Sequence, residues 1–455
     1  MKFTHIILIV ILVLQSTACR KFVTVDPPID QIVNPAPFSS DAAAISVITG
    51  IYSEMMNSAT QFSAGSTTFY AGMYADELYY YTPGSRDEFV AGNLTQVSHD
   101  AINSNFWQPL YKYIYAANLA LEQLRLSTSL TPTVKQRLTG EALFTRVFCY
   151  HYLTNLFGDV PLVLSSQYAD NMSLPRTAQP AVLAQMWQDI TTAAALLPED
   201  YPEGDRVRPN KWSAKALESR LALYAKDYGK AASIASELIN NHLFVLEADC
   251  KNAFLKNSRE AIWQLQPVRP NYNTTEANII LPASNATQPT YLATSSLLNA
   301  FEAGDKRKDG WLNKRVFNNN TMYFPYKYKI RMNQTVSEFY VAERLAEQYL
   351  IRAEANIMLG NIEPATQDIN LIRTRAGLPN TTATDQQSLK KAIEQERRIE
   401  LCFEWGHRWF DLKRTGHTMD VLAPIKTDWS AKDTLWPIPI RQINLNPALT
   451  QNPGY

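Results

Sequence analysis

The sequence has few cysteines, a modest share of charged residues and no excess of either sign. Four of its 455 residues are cysteine, and 19% are charged. The 43 basic and 43 acidic side chains give a net charge of +0. Nucleic-acid binding needs a concentrated positive surface, and electrostatic attachment to a membrane needs basic clusters. The balance of charge therefore argues against both, and a neutral ligand suits this surface better.

The common signatures of catalysis and of metal or cofactor binding are also missing. The chain contains no G-x-S-x-G, H-E-x-x-H or P-loop motif. The cysteines and the six histidines show no zinc-type spacing. Residues 305–310 resemble a calcium loop only in composition, because the alternating acids and the distal glutamate are absent. We therefore predict no catalytic residue, metal ion or cofactor, although a glycosidase needs only two carboxylates and hydrolysis stays open.

The start of the chain has the layout of an exported lipoprotein. Lys2 precedes an unbroken apolar run at 6–14, which is too short to span a bilayer and is typical of a signal peptide. Small residues stand directly before Cys19, as in a bacterial lipobox, although Ser16 occupies a place where leucine is more usual. We predict a signal peptide at 1–18, lipidation of Cys19 and a tether at 19–38. The alternative is an ordinary signal peptide with a chance cysteine.

The other cysteines are predicted to be free. Cys149, Cys250 and Cys402 remain after Cys19, and an odd number cannot pair completely. Cys149 and Cys402 lie in apolar helical contexts, so buried thiols are expected there.

Apolar residues recur at helical spacing through most of the chain, which predicts a mostly α fold. Helix pairs joined by short turns indicate tetratricopeptide-like packing, in a bundle or a solenoid, although no regular repeat period is present. Residues 61–92 contain a Pro-Gly pair and are predicted to be largely loop. The segment 243–341, rich in Asn, Thr, Pro and aromatic residues, is predicted to be loops with short strands such as 261–266. The predicted helices are 40–57, 107–124, 134–157, 180–197, 211–226, 229–240, 342–359 and 363–376.

Two of these loop regions carry the residue types that a sugar ligand requires. A sugar ring stacks its apolar C–H face on an aromatic side chain, and its hydroxyl rim bonds to planar polar groups. Such sites commonly lie on loops held by a rigid scaffold. In the alternative interpretation, each tyrosine packs under its own loop and exposes only its hydroxyl group. The candidate ligand-binding residues are Tyr79, Tyr80, Tyr81, Arg86 and Asp87 in the first region and Tyr272, Asn273, Tyr291 and Trp311 in the second.

The densest charged stretch lies at 395–416 and allows two interpretations. The first makes Glu400, Glu404, His407 and Asp411 an active site. The second makes them part of a buried ion network that fixes how the last long helix docks, because desolvated charges must be paired. No nucleophile or metal-ligand spacing lies nearby. We therefore predict an architectural clamp.

The same stretch resembles the C-terminal signature of the SusD/RagB-like outer-membrane lipoproteins. The matching residues are Glu396, Arg397, Arg398, Glu400, Leu401, Phe403, Glu404, Gly406, Arg408, Asp411, Leu412 and Arg414. Trp405 is an insertion in this pattern and is expected to alter how the helix ends. The resemblance continues through Trp107, Tyr111, Ile114 and Asn118, then Glu141, Arg146, Tyr150 and 157–161, then 349–355, Gly360, Ala365, Asn370, Arg373 and 375–377, and finally 435–439, 446–447 and 451–455.

The resemblance implies a SusD-like fold and a role in nutrient uptake. It implies an N-terminal helical part at 39–242, a loop-rich ligand-binding insertion at 243–341 and a C-terminal part at 342–455, together one compact unit. The implied protein is lipid-anchored in the outer membrane and faces the cell exterior. It binds an oligosaccharide or polysaccharide, acts with a SusC-like TonB-dependent transporter and has no catalytic activity. A peptide ligand, or surface glycoside hydrolysis, is the alternative.

Overall fold

The computed structural model describes residues 37–58, 61–82, 84, 86–202 and 204–455. The predicted signal peptide, Cys19 and most of the tether lie outside the described residues. Among the described helices, none combines the length and apolar character needed to cross a membrane.

The N-terminal half is built almost entirely from helices. Helix α1 begins after Ser40, whose side chain accepts a hydrogen bond from the Ala43 amide. Helix α6 is buried along most of its length, as its uniformly apolar sequence predicts. The elements in order are α1 Asp41–Asn57, α2 Ser66–Tyr74, β1 Leu78–Tyr80, α3 Asp87–Ala91, α4 His99–Ile102, a π-helical turn Asn103–Trp107, α5 Gln108–Leu126, α6 Pro132–Phe157, α7 Tyr168–Asn171, α8 Gln179–Leu196, α9 Lys211–Tyr224 and α10 Tyr228–Ile239.

The second half contains most of the short strands and the last long helices. Its elements are β2 Ala261–Leu265, α11 Thr275–Ile280, β3 Tyr291–Ala293, α12 Ser295–Ala300, α13 Lys306–Trp311, β4 Leu312–Phe317, β5 Asn320–Pro325, β6 Tyr340–Arg344, α14 Leu345–Leu359, α15 Ile362–Arg375, α16 Gln386–Glu400, α17 His407–Thr415, α18 Thr418–Leu422 and α19 Ile440–Leu445. The described strands form three antiparallel pairs, β1 with β3, β2 with β6 and β4 with β5.

The helices pack as successive pairs, which confirms the predicted mostly α, tetratricopeptide-like fold. Helix α5 packs on α6 and α6 on α8, while α9 packs on α10. Helix α10 then contacts α14, and α14 contacts α15. Strand β2 confirms the short strand predicted near residue 261. The chain thus forms a rigid helical scaffold from which the short strand pairs and loops extend.

Three local predictions were wrong. Residues 66–74 form α2 rather than loop, and every residue of that helix is buried, because tertiary packing stabilises a helix with apolar residues on all sides. Residues 275–280 form α11 within a segment predicted to be loop, capped by the Thr274 side chain on the Ala277 amide. The helix predicted from residue 342 begins at Leu345, because β6 pairs with β2 first.

The cysteine prediction is confirmed. Cys149, Cys250 and Cys402 are free and buried. Burial raises the pKa of the Cys402 thiol to about 12, so this group is protonated at neutral pH.

Candidate functional site

The first predicted ligand region forms a surface loop held at its base by the β1–β3 pair. The term tyrosine loop is used below for residues 79–92, of which 83 and 85 lie outside the described part. Tyr79 stands opposite Leu292 and Tyr80 opposite Tyr291 in an antiparallel register. The Tyr81 amide extends this pairing by donating to the Thr290 carbonyl at 2.9 Å. The loop therefore starts from a defined strand edge.

Strand alternation turns two of the tyrosines outward. Tyr79 and Tyr81 are each 43% exposed, whereas Tyr80 between them is half-buried. Successive side chains of a strand point to opposite faces, so Tyr79 and Tyr81 share the solvent-facing side. Two exposed phenol rings on one edge can stack on flat apolar surfaces of a ligand.

A guanidinium group lies beneath this edge. The Cζ atom of Arg86 is 4.5 Å from the Tyr80 ring centroid and 6.0 Å from that of Tyr291. The two rings are 5.0 Å apart, and Tyr291 stacks in turn on Phe69 at 4.7 Å. Cation–π contact holds the half-exposed arginine in place. The planar guanidinium of Arg86 is thus held against the rings of Tyr80 and Tyr291, on the same loop as the exposed tyrosines.

Asp87 begins α3 and closes the turn. Its carboxylate accepts a hydrogen bond from the Gly84 amide at 3.0 Å, and the residue is exposed. A carboxylate has several lone pairs, so Asp87 keeps acceptor capacity toward solvent. Tyr79, Tyr81, Arg86 and Asp87 together bring aromatic faces, donors and acceptors to one loop.

Three residues of the second predicted region are buried, which corrects their assignment to an exposed surface. Asn273 is 0% exposed and its Oδ1 accepts hydrogen bonds from the Ser337 and Glu338 amides. Trp311 is also 0% exposed and donates to the Cys250 carbonyl at 3.1 Å. Tyr291 is 4% exposed and supports the tyrosine loop from below. Residue type alone could not separate these packed side chains from accessible ones.

Tyr272, the remaining predicted residue, is half-buried and has other neighbours. The Arg269 guanidinium lies 4.5 Å from its ring centroid, and its backbone forms an isolated bridge with Met332. The structure therefore joins Tyr291 from the second region to the first, while Tyr272 has a separate set of contacts.

The charged stretch at the C-terminal signature forms the core ion network, as predicted. Glu400 is 0% exposed and pairs with Arg344 at 2.7 Å, with Arg307 at 3.0 Å and with Arg375. Glu404 pairs with Arg344 at 2.7 Å and with Lys327. The members of the core ion network are Glu260, Arg307, Lys327, Arg344, Arg375, Glu396, Glu400 and Glu404.

The electrostatics of this network suit a structural role. Burial by itself raises the pKa of Glu400, but Arg375, Arg344 and Arg307 outweigh it and hold that pKa well below its ordinary value. Burial lowers the pKa of His407 to about 4, so its imidazole is neutral at pH 7. Asp411 is paired with Arg397 at 2.8 Å. The candidate acids are therefore already paired with cations inside the protein. This confirms the predicted architectural clamp, and acids paired in this way are unsuited to an active site.

The segment after α16 contains the inserted Trp405 and two unusual backbone conformations. Helix α16 ends at Glu400, and Phe403 and Trp405 adopt left-handed backbone conformations with φ of 58° and 47°. The Trp405 indole donates to the Val341 carbonyl at 2.8 Å, and its amide donates to the Thr68 hydroxyl at 3.1 Å. Packing and two hydrogen bonds compensate for a backbone conformation that non-glycine residues rarely adopt.

Two grooves run along α5, and no motif or spacing in the sequence predicts them. One has a volume of about 730 Å³ and lies against α1, and the other has about 810 Å³ and extends to α7 and α19. Lys112 and Tyr115 line both grooves, so the two grooves are neighbours on the same helix. Exposed apolar side chains border them, including Leu119, Leu126 and Met172.

Within the described ranges, no group of His, Cys, Asp or Glu side chains has an arrangement suited to a metal ion.

Comparison with known proteins places this fold in one family. Residues 302–455 match the sequence model of the SusD family, and residues 21–223 match a model described as starch-binding, associating with outer membrane. The chain is 26% identical to SusD-like protein P25 of Formosa agariphila, with complete coverage of both chains.

Solved structures of SusD-like proteins share this fold. A SusD superfamily protein of Bacteroides vulgatus superposes with a TM-score of 0.81 at 20% identity, covering 92% of this chain and all of the other. A laminarin-binding SusD-like protein superposes with a TM-score of 0.75 at 21% identity, with the same coverage. From its signature residues, its sequence relatives and its fold, the chain belongs to the SusD/RagB-like family.

Proposed function

We propose that the protein binds a neutral glycan at the cell surface and passes it to a SusC-like TonB-dependent transporter. The observation that supports the ligand assignment is the tyrosine loop, in which two exposed tyrosines share one strand-anchored loop with Arg86 and Asp87. The family match described as starch-binding and the structural likeness to a laminarin-binding protein support a glucan-type ligand. The net charge of +0 is compatible with an uncharged chain of sugars.

Binding is reversible and needs no chemical step. Tyr79 and Tyr81 stack on the apolar faces of successive sugar rings, and Arg86 and Asp87 bond to the hydroxyl rim. The Tyr80 and Tyr291 rings hold the guanidinium in advance, so little conformational freedom is lost on binding. We propose no catalytic role, because the carboxylates of the core ion network are already paired with arginines.

The transporter docks on the surface of α5 that carries the two neighbouring grooves. Pro37 and Phe38, where the described chain begins, line the first groove, so the proposed lipid anchor at Cys19 joins the body beside this face. The predicted tether would then enter the body on the same side as the first groove. Exposed apolar surface rimmed by polar residues is typical of a protein interface.

Calorimetric titration of the purified protein with laminarin, maltoheptaose and a mixture of short peptides tests the ligand class. We expect one of the two glucans to bind and the peptides not to bind. Tyr79→Ala weakens that binding, whereas the control Met419→Ala, at an exposed residue on α18, leaves it unchanged. Peptide binding without glucan binding would favour the peptide alternative, and release of new reducing ends would favour hydrolysis.

A further inference from the structure

A buried lysine closes the stem of the tyrosine loop. The Lys426 side chain is 6% exposed, and its ammonium donates to the Val90 carbonyl at 2.6 Å, the Met73 carbonyl at 3.0 Å and the Phe89 carbonyl at 3.5 Å. Met73 lies in α2, just before β1, whereas Phe89 and Val90 lie in α3 near the end of the loop. One cation therefore joins the chain segments that enter and leave the tyrosine loop.

The carbonyls that Lys426 contacts need such a donor. The last four carbonyls of a helix have no partner within the helix and carry partial negative charge. Helix α3 has only five residues, too few to be stable by itself. The lysine ammonium supplies both hydrogen bonds and opposite charge to the C-terminal end of α3. The position of α3 is thus set from outside the loop.

Close packing holds the methylene chain of Lys426 against the end of the tyrosine loop. Gly92 has φ of +74°, and a Cβ atom built there would lie 2.8 Å from Lys426 Cδ and 2.6 Å from the Trp429 ring. Phe89 packs on Tyr70 and Trp436, with ring centroids 4.6 Å and 5.4 Å away. Gly92 and the Lys426 side chain are therefore in close contact, and a side chain at residue 92 would force one of them to shift.

Lys413 provides an internal comparison. It is a second lysine whose ammonium is buried and bonded to a backbone carbonyl, that of Asn155 in α6. Burial lowers the pKa of both lysines to about 7, with Asp76 opposing the effect at Lys426. The two side chains share a similar desolvation cost, but only Lys426 contacts the segments flanking the tyrosine loop.

We propose that Lys426 is a positioning residue for the glycan site, which by closing the loop stem sets where Tyr79, Tyr81 and Arg86 stand. The inference rests on the proposed function for its effect on affinity. It concerns a residue far from the loop in sequence that does not itself touch the ligand.

The test compares Lys426→Met with Lys413→Met in the full mature protein. Both substitutions leave backbone carbonyls without their hydrogen-bond donor, so both are expected to lower the melting temperature. Lys426→Met alone should accelerate trypsin cleavage after Arg86 by about tenfold, because the loop opens locally more often. It alone should raise the dissociation constant for laminarin or maltoheptaose by at least about fivefold, since an imprecisely placed site binds less tightly. Equal cleavage rates in the two variants would overturn the proposal.

Two further outcomes are decisive. If Lys426→Met does not fold, Lys426→Gln, which keeps an N–H donor, is measured in its place and should show the same changes at smaller size. If neither glucan binds the wild-type protein, the proposed ligand class is wrong, whereas the cleavage comparison still decides whether Lys426 positions the loop. Faster cleavage with unchanged glucan affinity would contradict the positioning role.

Discussion

The core ion network and the tyrosine loop combine the same residue types in opposite environments. In the network, Arg344 lies 5.9 Å from the ring centroid of Trp311, and in the loop Arg86 lies 4.5 Å from that of Tyr80. Glu400 is fully buried, whereas Asp87 is exposed. Both regions place guanidinium groups, aromatic rings and carboxylates together. Burial decides which set stabilises the fold and which remains open to a ligand.

The difference shows why charged and aromatic residues cannot be assigned a role by type. Inside the protein, a carboxylate that loses its cations keeps a large desolvation penalty, so the network acts as one unit. At the surface, water screens each charge and a single substitution leaves the others almost unaffected. The two regions should therefore respond to mutation in different measurements, stability for the network and affinity for the loop.

The largest effect is expected at Glu400. Glu400→Ala removes the carboxylate that pairs with Arg307, Arg344 and Arg375 and should lower the free energy of unfolding by about 3–5 kcal/mol, measured by urea denaturation. The matched control Glu54→Ala breaks only the exposed pair with Lys112 and should cost less than about 1 kcal/mol. Loss of glucan binding with an unchanged melting temperature would place Glu400 in the ligand site and remove the contrast.

Glu276 tests how burial affects the protonation of a carboxyl group that is not paired with a guanidinium. Its carboxyl accepts a hydrogen bond from the Tyr340 hydroxyl at 2.9 Å, and burial raises its pKa from 4.5 to about 8. Between these values the folded state holds a proton that the unfolded state has lost, so stability falls as pH rises. The free energy of unfolding of the wild type, relative to Glu276→Gln, should fall by about 1.4 kcal/mol per pH unit from about pH 5 to 7, and less steeply as the pH approaches 8.

The same titration with Glu54→Gln provides the control for Glu276. Lys112 lowers the pKa of Glu54, so this group is ionised in both the folded and the unfolded state above pH 5. The difference in free energy of unfolding between Glu54→Gln and the wild type should not change with pH over the same interval. If the difference for Glu276→Gln is also independent of pH, burial does not hold the proton at Glu276.

A single exposed ring of the tyrosine loop should affect affinity but not stability. Tyr81→Ala removes a stacking surface and should weaken glucan binding by about 0.5–1.5 kcal/mol, roughly 2- to 12-fold, measured by calorimetry. Tyr81→Phe keeps the ring and serves as the control, with most of the affinity retained. The melting temperature should be unchanged in both variants. A change in melting temperature without a change in affinity would mean that Tyr81 only packs under its own loop.

The smallest effect is expected from Arg86→Lys. The lysine keeps the positive charge but loses the planar guanidinium over Tyr80, which should cost about 0.5–1 kcal/mol of glucan affinity, roughly 2- to 5-fold. Arg352→Lys is the control, because Arg352 also lies over a tyrosine, Tyr349, but in the helical scaffold. It should change stability and leave affinity unchanged. Equal effects of both variants on affinity would contradict a binding role for Arg86.

Most of the fold prediction came from apolar residues that recur at helical spacing. The long helices, from α1 through α6 to α15, follow from apolar residues repeating at helical spacing. Helix α2 was missed because it is buried on all sides and has no polar face to show a period. Helix α11 was missed because a single cap at Thr274 starts it within a run of loop-forming residues. Short elements depend on tertiary packing more than on their own sequence.

The candidate site was predictable only in part. Tyr79, Tyr81, Arg86 and Asp87 lie on one loop because they are close in sequence. Tyr291 joins them through the β1–β3 pairing, which connects residues about two hundred positions apart. Lys426 and the α5 grooves gave no sequence signal, because both arise from segments that meet only in the folded chain.

The sequence by itself determined the helical scaffold, the family and the paired charges of the stretch at 395–416, because each depends on local spacing or on motif identity. Only the tertiary structure decided which aromatic and charged residues are accessible. Trp311 and Asn273 have the composition of a sugar site but are packed inside, while Tyr79 and Tyr81 reach solvent. Burial is set by the contacts between distant segments, and no local pattern of residues specifies them.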